Sequence, residues 1–227
     1  MDGETAWPRH ETLPGAKEVK PGRTRDAGEV QQREKKRVSG DASGKMAVEG
    51  EGTMETKGRI LITTGDGKGK TTAALGMALR AWGHGIPVFL VQFVKSDRET
   101  GEYAALERLG IEVRVAGLGF VPPRDNPGFE AHCRAAEEGL GTAAEALSSR
   151  RYGLVVLDEL CYAVARGLIA EEAVLRLLKA ADPSVTIVMT GRGATEGLIA
   201  AADTVSEVRS VKHGFDAGIK AQKGVEF

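Results

Sequence analysis

A glycine-rich segment that links an apolar run to an alanine-rich helical pattern has the residue types that bind phosphate. It reads Thr-Gly-Asp-Gly-Lys-Gly-Lys-Thr-Thr over residues 64–72. Alternating glycines allow successive backbone N–H groups to face a polyphosphate, and the following helix adds the positive end of its dipole. Lys70 is expected to reach the phosphates, and the Thr71 hydroxyl to bind Mg²⁺. We therefore predict a nucleotide site formed by Thr64, Gly65, Asp66, Gly67, Lys68, Gly69, Lys70, Thr71 and Thr72.

The segment departs at one position from the general phosphate-loop pattern G-x-x-x-x-G-K-[ST]. Thr64 stands where that pattern has its first glycine. The alternative interpretation is a glycine-rich turn whose lysines are only solvated. The order of apolar run, loop and helical pattern favours phosphate binding, because the mechanism requires a strand, a loop and a helix in that order.

Two acidic residues at the end of a second apolar run are candidate metal ligands. Asp158 and Glu159 follow Leu154–Leu157, an arrangement similar to the Walker B strand, in which a carboxylate at the strand tip holds Mg²⁺ directly or through water. Acids at strand ends are common, so the argument depends on their combination with the phosphate loop. Together, Thr71, Asp158 and Glu159 would supply the hard oxygen ligands that Mg²⁺, or Mn²⁺, prefers.

Cationic side chains follow two other predicted strands. Arg192 lies in a glycine-rich turn after the strand that ends near Met189, and it could hold phosphate oxygens or pair with a nearby acid. Gln92, Lys95 and Arg98 follow the second strand and could face the same cleft, although lysine and arginine at such positions are also commonly solvated. The sequence leaves these alternatives open.

Short apolar runs alternate with helical patterns from Gly58 onward, which predicts an α/β domain over residues 58–227. Continuous apolar runs favour a parallel sheet covered on both faces, with ligands at the carboxyl ends of the strands. We predict a three-layer, RecA-like P-loop NTPase domain with a mainly parallel sheet. The predicted strands are Arg59–Thr63, Pro87–Val94, Ile111–Val115, Leu154–Leu157, Val185–Met189 and Thr204–Val208, and the predicted helices are Thr71–Trp82, Glu102–Leu109, Asn126–Ser149, Glu171–Ala181 and Thr195–Ala202.

The composition excludes several classes of protein. A formal net charge of -1 gives no electrostatic reason to expect a nucleic-acid or membrane partner. The sequence has neither a long apolar span nor the apolar core of a secretory signal, so a cytoplasmic protein is expected.

Cys133 and Cys161 lack metal-site spacing and are expected to be free thiols, while His84 and His213 have no spaced partner. No serine has a nucleophile-elbow pattern, so covalent hydrolysis is not supported.

Residues 1–57 differ in composition from the rest of the chain. They contain eight glycines and only five residues drawn from Ile, Leu, Val and Phe. Such a segment buries too little apolar area to offset its ordering entropy, so we predict a largely disordered extension. Val30–Val38 is its best helix-forming stretch and could order over a ligand or remain a solvated charged segment.

From about Arg59 to the C-terminus, the sequence resembles the ATP:corrinoid adenosyltransferases of the CobA/BtuR/CobO type. That family typically has Thr-Gly-[Asn/Asp]-Gly-Lys-Gly-Lys at the phosphate loop, which accounts for Thr64. The C-terminal tail, Val211–Gln222, is more distinctive than any nucleotide-binding motif. The other matching segments are Thr64–Ala74, Arg80–Gly85, Val91–Lys95, Leu157–Leu160 and Thr190–Gly193.

The resemblance implies a reaction that the motifs alone do not reveal. In this family, Co(I) of a corrinoid attacks the ribose 5′ carbon of ATP, and triphosphate departs. The resemblance implies catalytic roles for Lys70, Glu159 and Arg192, with the phosphate loop binding the leaving group. It also implies a homodimer and a reductant, expected to be a flavoprotein, that supplies Co(I).

The chain also departs from the family at several positions. Some members carry an additional aromatic residue in the segment that matches Gly119–Pro122, where this chain has Phe120 alone, so its corrinoid-facing surface is expected to differ. Cys161 stands where threonine is common. The N-terminal extension, which can cover the site in relatives, is longer and more polar here.

Two other classes share the nucleotide motifs. A small P-loop kinase would yield ADP, and a nucleotide-controlled binding module would hydrolyse ATP slowly without a small-molecule acceptor. Neither class explains the distinctive tail at His213–Gln222, which favours adenosyl transfer.

Overall fold

The computed structural model describes residues 57–96 and 100–225. Strands and helices alternate through most of this part of the chain, which ends in a short 3₁₀ helix at Gly214–Ala217. The strands are β1 (Ile60–Thr64), β2 (Val88–Gln92), β3 (Glu112–Val115), β4 (Leu154–Asp158), β5 (Thr186–Thr190) and β6 (Thr204–Glu207). The helices are α1 (Lys70–Gly83), α2 (Gly101–Arg108), α3 (Phe129–Ser148), α4 (Leu160–Arg166), α5 (Glu171–Ala180) and α6 (Glu196–Ala201).

The described strands form one six-stranded sheet in the order β3-β2-β4-β5-β1-β6. Every pairing between neighbouring strands is parallel. The strands β2 and β4 are buried at all positions, because helices cover both faces of the sheet centre, whereas β6 is an exposed edge. The predicted fold class, a three-layer α/β domain of the P-loop NTPase type, is confirmed.

Two apolar clusters hold the layers together. On one face, Ala74, Ala78 and Ala81 of α1 pack with α2 against alternate residues of the central strands. On the other face, α3, α4, α5 and α6 pack against the remaining strand residues. Alanines at this spacing line one side of α1, and their small side chains let the helix lie close to the sheet. This packing fixes the start of α1, and with it the phosphate loop, above the carboxyl ends of the strands.

The predicted element boundaries agree with the structure to within two residues, with two exceptions. The helix predicted from Asn126 begins at Phe129, because Pro127 disfavours a helical Asn126 and the Asn126 side chain instead accepts a hydrogen bond from the Gly128 N–H at 2.8 Å. The helix α4 was not predicted. It is short and buried over much of its length, so its sequence lacks the polar face that marks a helix, and Gly167 ends it in a left-handed conformation.

Both cysteine side chains, Cys133 and Cys161, are free thiols, as predicted. Burial raises the pKa of the Cys161 thiol to about 12. Within the described ranges, every helix is too short or too polar to cross a bilayer. The disorder predicted for residues 1–57 and the role suggested for Val30–Val38 concern residues that, apart from Lys57, lie outside the described part, and so does Arg98.

Candidate functional site

A cleft of about 640 Å³ opens at the carboxyl ends of the strands, in front of the N-terminus of α1. The loop between β1 and α1 forms one wall, and residues that follow β2, β4 and β5 form the others. This is the edge at which ligands bind in sheets of this topology. The cleft is lined by Gly67, Lys68, Gly69, Lys70, Thr71, Thr72, Leu75, Lys95, Gly101, Glu102, Glu159, Arg192, Gly224 and Val225.

The phosphate loop is held from behind by the segment that follows β6. The Gly67 N–H donates a hydrogen bond to the Val208 carbonyl at 2.7 Å. A Cβ atom on Gly67 would lie 2.7 Å from the Arg209 carbonyl oxygen, and Gly69 has φ 118°. Glycines in such a loop are expected to let backbone N–H groups approach a phosphate, but at Gly67 the chain's own backbone already excludes a side chain. The Gly67 N–H is consequently not directed at the cleft.

Lys70 is buried at the first position of α1, and its ammonium lies inside the loop. Its Nζ donates to the Gly67 carbonyl oxygen at 2.7 Å. Burial lowers the pKa of Lys70, and the nearby Glu159 carboxylate partly opposes this shift. A charge held inside a phosphate loop at the start of a helix is placed to interact with an anion in the cleft.

Asp158 ends β4 and is the centre of a hydrogen-bond network, with only 1% of its surface exposed. Its Oδ1 accepts from the Thr71 hydroxyl at 2.9 Å and from the Thr190 hydroxyl at 2.7 Å. Its Oδ2 accepts from Gln92 Nε2 at 3.3 Å. The network therefore joins α1, β2, β4 and β5 at one carboxylate.

Glu159 follows directly and lines the cleft in a left-handed conformation, with φ 62°. This conformation costs a residue other than glycine about 1–2 kcal/mol. The Glu159 N–H donates to the Thr190 hydroxyl at 2.9 Å, which helps to hold the turn. Burial, followed by the charge of Asp158, raises the pKa of Glu159. The turn thus directs the Glu159 carboxylate into the cleft, whereas the Asp158 carboxylate is buried behind the cleft wall.

Two further cations reach the cleft. Arg192 is 61% exposed, and its Nε lies 3.9 Å from Asp66 Oδ1, a distance at which an exposed pair contributes little. Lys95 Nζ lies 2.5 Å from Glu102 Oε1, so it is paired and partly buried rather than simply solvated. With Lys70, these side chains place cations on several sides of the cleft, which Glu102 and Glu159 also line.

The structure brings together most, but not all, of the predicted site residues. Thr64, Gly65 and Asp66 do not line the cleft, and the Thr64 hydroxyl instead accepts from the Ala194 N–H at 3.3 Å. Asp158 does not line the cleft itself and is connected to it by the hydrogen bond that its carboxylate accepts from Thr71, which does line the cleft. Gln92, expected to face the cleft, is buried against Asp158. No separate role is predicted from the sequence for Thr190 or Glu102. The only signal at these positions is a polar residue at the end of an apolar strand, for Thr190, or in the first turn of a helix, for Glu102.

The oxygen groups in and beside the cleft fit a magnesium ion that also binds phosphate. Thr71 and Asp158 bring a hydroxyl and a carboxylate together, and Glu159 adds a second carboxylate. Residues 57–96 and 100–225 contain no group of three His, Cys, Asp or Glu side chains placed to hold a metal by themselves. Mg²⁺ commonly binds through one or two carboxylates together with substrate phosphates, so this donor set suits it.

Comparison with known proteins identifies the family. The family described as ATP:corrinoid adenosyltransferase BtuR/CobO/CobP matches residues 56–227. The corrinoid adenosyltransferase of Pseudomonas aeruginosa is 45% identical over 76% of this chain and 85% of its own, and that of Salmonella typhimurium is 44% identical over 77% of this chain and 88% of its own. The corrinoid adenosyltransferase of Escherichia coli K12 is 42% identical over 77% of this chain and 88% of its own. The chain is therefore a transferase that belongs to the ATP:corrinoid adenosyltransferase family.

Proposed function

We propose that this protein transfers the 5′-deoxyadenosyl group of ATP to Co(I) of a corrinoid, in adenosylcobalamin biosynthesis or salvage. The acceptor is cob(I)yrinic acid a,c-diamide, cobinamide or cobalamin. The cobalt lone pair forms a Co–C bond with the ribose 5′ carbon, the C5′–O bond breaks, and its electrons leave with triphosphate. The proposal rests on one observation: a single cleft combines the phosphate loop with Lys70, Glu159 and Arg192, in a chain that belongs to this family.

In this reaction the protein mainly binds and stabilises the leaving group. Lys70 and Arg192 face the negative charge that accumulates on triphosphate as the C5′–O bond breaks. The nucleophile is a metal lone pair, so no side chain has to remove a proton. Rate acceleration then depends on alignment of C5′ with cobalt, which the rigid loop and sheet edge provide.

Thr71, Asp158 and Glu159 would hold Mg²⁺, or Mn²⁺, against the phosphates. When bound, the ion would supply positive charge that neutralises the leaving triphosphate. Thr71 and Asp158 are already fixed to each other by a hydrogen bond, and Glu159 approaches from the adjoining turn. These side chains therefore need little rearrangement to orient a metal–nucleotide complex.

The corrinoid is proposed to contact the loop after β3. Phe120 is 88% exposed there, while its neighbour Val121 is buried and anchors the loop. Arg166 also holds the loop, by donating to the Pro122 carbonyl at 3.3 Å. We further propose that the protein works in the cytoplasm as a homodimer, that residues 58–227 form its catalytic domain, and that a flavoprotein supplies the electrons for Co(I).

Glu159→Gln should lower turnover without lowering stability. Because burial and Asp158 raise the pKa of Glu159, its ionisation is a cost to the folded state near neutral pH, and glutamine removes that cost. Without nucleotide and metal, the free energy of unfolding of the variant should equal or exceed that of wild type. The difference in free energy of unfolding in favour of the variant should grow as the pH rises from the ordinary pKa of glutamate through the raised pKa of Glu159. Urea titrations across this range, with parallel turnover assays, test both parts, and unchanged turnover would remove Glu159 from the catalytic residues.

Arg192→Ala should reduce turnover by about tenfold or more, because one cation near the leaving group is lost. Its ion pair with Asp66 is long and exposed, so the melting temperature should change little. Arg134→Ala is a matched control, because Arg134 is similarly exposed and pairs with Glu130 on α3. Equal turnover of the two variants would show that Arg192 has no part in the reaction.

An anaerobic assay with Mg-ATP and chemically reduced cobinamide or cobalamin tests the proposed function directly. We expect a light-sensitive adenosylcorrinoid, followed by its absorbance, together with one triphosphate for each corrinoid converted. Formation of ADP would instead indicate a small P-loop kinase. Slow ATP hydrolysis without any change in the corrinoid would indicate a nucleotide-controlled binding module.

A further inference from the structure

The geometry points to Thr190 as a positioning residue that holds Asp158 and Glu159 in the arrangement needed to bind a metal–nucleotide complex. Thr190 ends β5, is 0% exposed, and does not line the cleft. This inference rests on the proposed function, because it concerns how the same site is kept in order.

A single hydroxyl of Thr190 makes two hydrogen bonds of opposite sense. It donates to Asp158 Oδ1 at 2.7 Å and accepts from the Glu159 backbone N–H at 2.9 Å. A hydroxyl can do both at once, whereas a methyl group of the same size can do neither. The first bond fixes the carboxylate that also accepts from Thr71, and the second fixes the backbone of the adjacent residue.

The second bond matters because Glu159 has a positive φ of 62°. This conformation persists only where the surroundings support it. The Glu159 N–H lies at the entrance to α4, where the helix itself provides no acceptor for it. Thr190 supplies that acceptor, and so supports the turn that directs the Glu159 side chain into the cleft.

The end of β5 is itself firmly placed, so Thr190 can serve as a fixed point. Gly191 has φ 133°, and a Cβ atom there would lie 2.5 Å from the Tyr162 nitrogen at the start of α4. The strand therefore packs directly against the helix that Glu159 begins. On the other side of Asp158, Gln92 Nε2 donates to Oδ2, so the carboxylate is held from both neighbouring strands.

Thr190→Val removes the hydroxyl and keeps the shape, whereas Thr190→Ser keeps the hydroxyl. Thr186→Val is the matched control, because Thr186 lies at the start of the same strand, far from the cleft. We would measure the dissociation constant of Mn²⁺ in the presence of ATP by electron paramagnetic resonance, without corrinoid, and kcat and KM in the anaerobic assay. Loss of an outer partner of a metal ligand typically weakens metal affinity or activity by about 10- to 100-fold.

We expect Thr190→Val to weaken Mn²⁺ binding and lower kcat by about tenfold or more, with Thr190→Ser and Thr186→Val close to wild type. Wild-type binding and turnover in a folded Thr190→Val would overturn the inference, and so would equal losses in the valine and serine variants. If the valine variant does not fold, Thr190→Ala and Thr190→Ser replace it, and only the alanine variant should then be impaired. If wild type forms no adenosylcorrinoid, the proposed function fails, while the Mn²⁺ measurements still test Thr190.

Discussion

Lys70→Met should lower kcat for adenosylcorrinoid formation by about 10²- to 10³-fold, the effect expected when one preorganised cation or donor is removed from a developing anion. Methionine keeps most of the unbranched stem, so packing at the start of α1 is preserved. The lost hydrogen bond to Gly67 costs about 1 kcal/mol, and this is offset because a buried charge is also removed. Turnover under anaerobic conditions and a thermal melt of the same preparation measure the two effects.

Lys179→Met provides the comparison for Lys70. Lys179 is an exposed lysine in the last turn of α5, outside the residues that line the cleft. The two variants change the net charge equally, so any general effect of charge on nucleotide affinity is shared. A Lys70 variant that retains the turnover of the Lys179 variant would contradict the assignment of Lys70 to the leaving group.

Asp158→Asn should lower turnover by about 100-fold and also weaken Mn²⁺ binding in the presence of ATP. The substitution removes the negative charge that a metal ion requires. It also leaves one oxygen where the carboxylate had two, although Thr71, Thr190 and Gln92 all donate to this group. An unsatisfied buried donor costs about 1–3 kcal/mol, so the free energy of unfolding should fall as well. Urea titration, turnover and Mn²⁺ binding separate these effects.

Asp182→Asn is the matched control for Asp158. The Asp182 carboxylate also accepts three hydrogen bonds, from the Ser184 N–H at 2.9 Å, the Ser184 hydroxyl at 2.6 Å and Arg150 Nε at 3.0 Å. These bonds to Ser184, followed by the charge of Arg150, lower the pKa of Asp182. It lies before β5, at the amino ends of the strands, so its loss should leave kcat unchanged. Equal activity in both asparagine variants would show that Asp158 does not act at the site.

The Asp158 and Thr190 variants should also be related to each other. Both disturb one hydrogen-bond network, so their effects on Mn²⁺ binding should not be additive in the double variant. Independent effects would indicate that Thr190 acts through Glu159 alone.

The patterns of neighbouring residues in the amino-acid sequence were enough by themselves to determine the fold class and the main parts of the candidate site. Continuous apolar runs such as Leu154–Leu157 predict strands buried on both faces, because only a sheet covered by helices hides both sides of a strand. The loop at residues 64–72 and the acids at Asp158 and Glu159 are recognisable because their chemistry depends on neighbours in sequence. Parallel strands then bring the two motifs to the same edge of the sheet.

The tertiary structure alone decided which side chains support that chemistry. Asp158, Gln92 and Thr190 end three different strands, and their contact depends on the order β2-β4-β5, which hydrophobic periodicity does not encode. The contact of Gly67 with Val208 likewise joins segments that meet only because β1 pairs with β6. Periodicity reports whether a residue is buried, whereas hydrogen-bond partners depend on which strands become neighbours when the whole core packs.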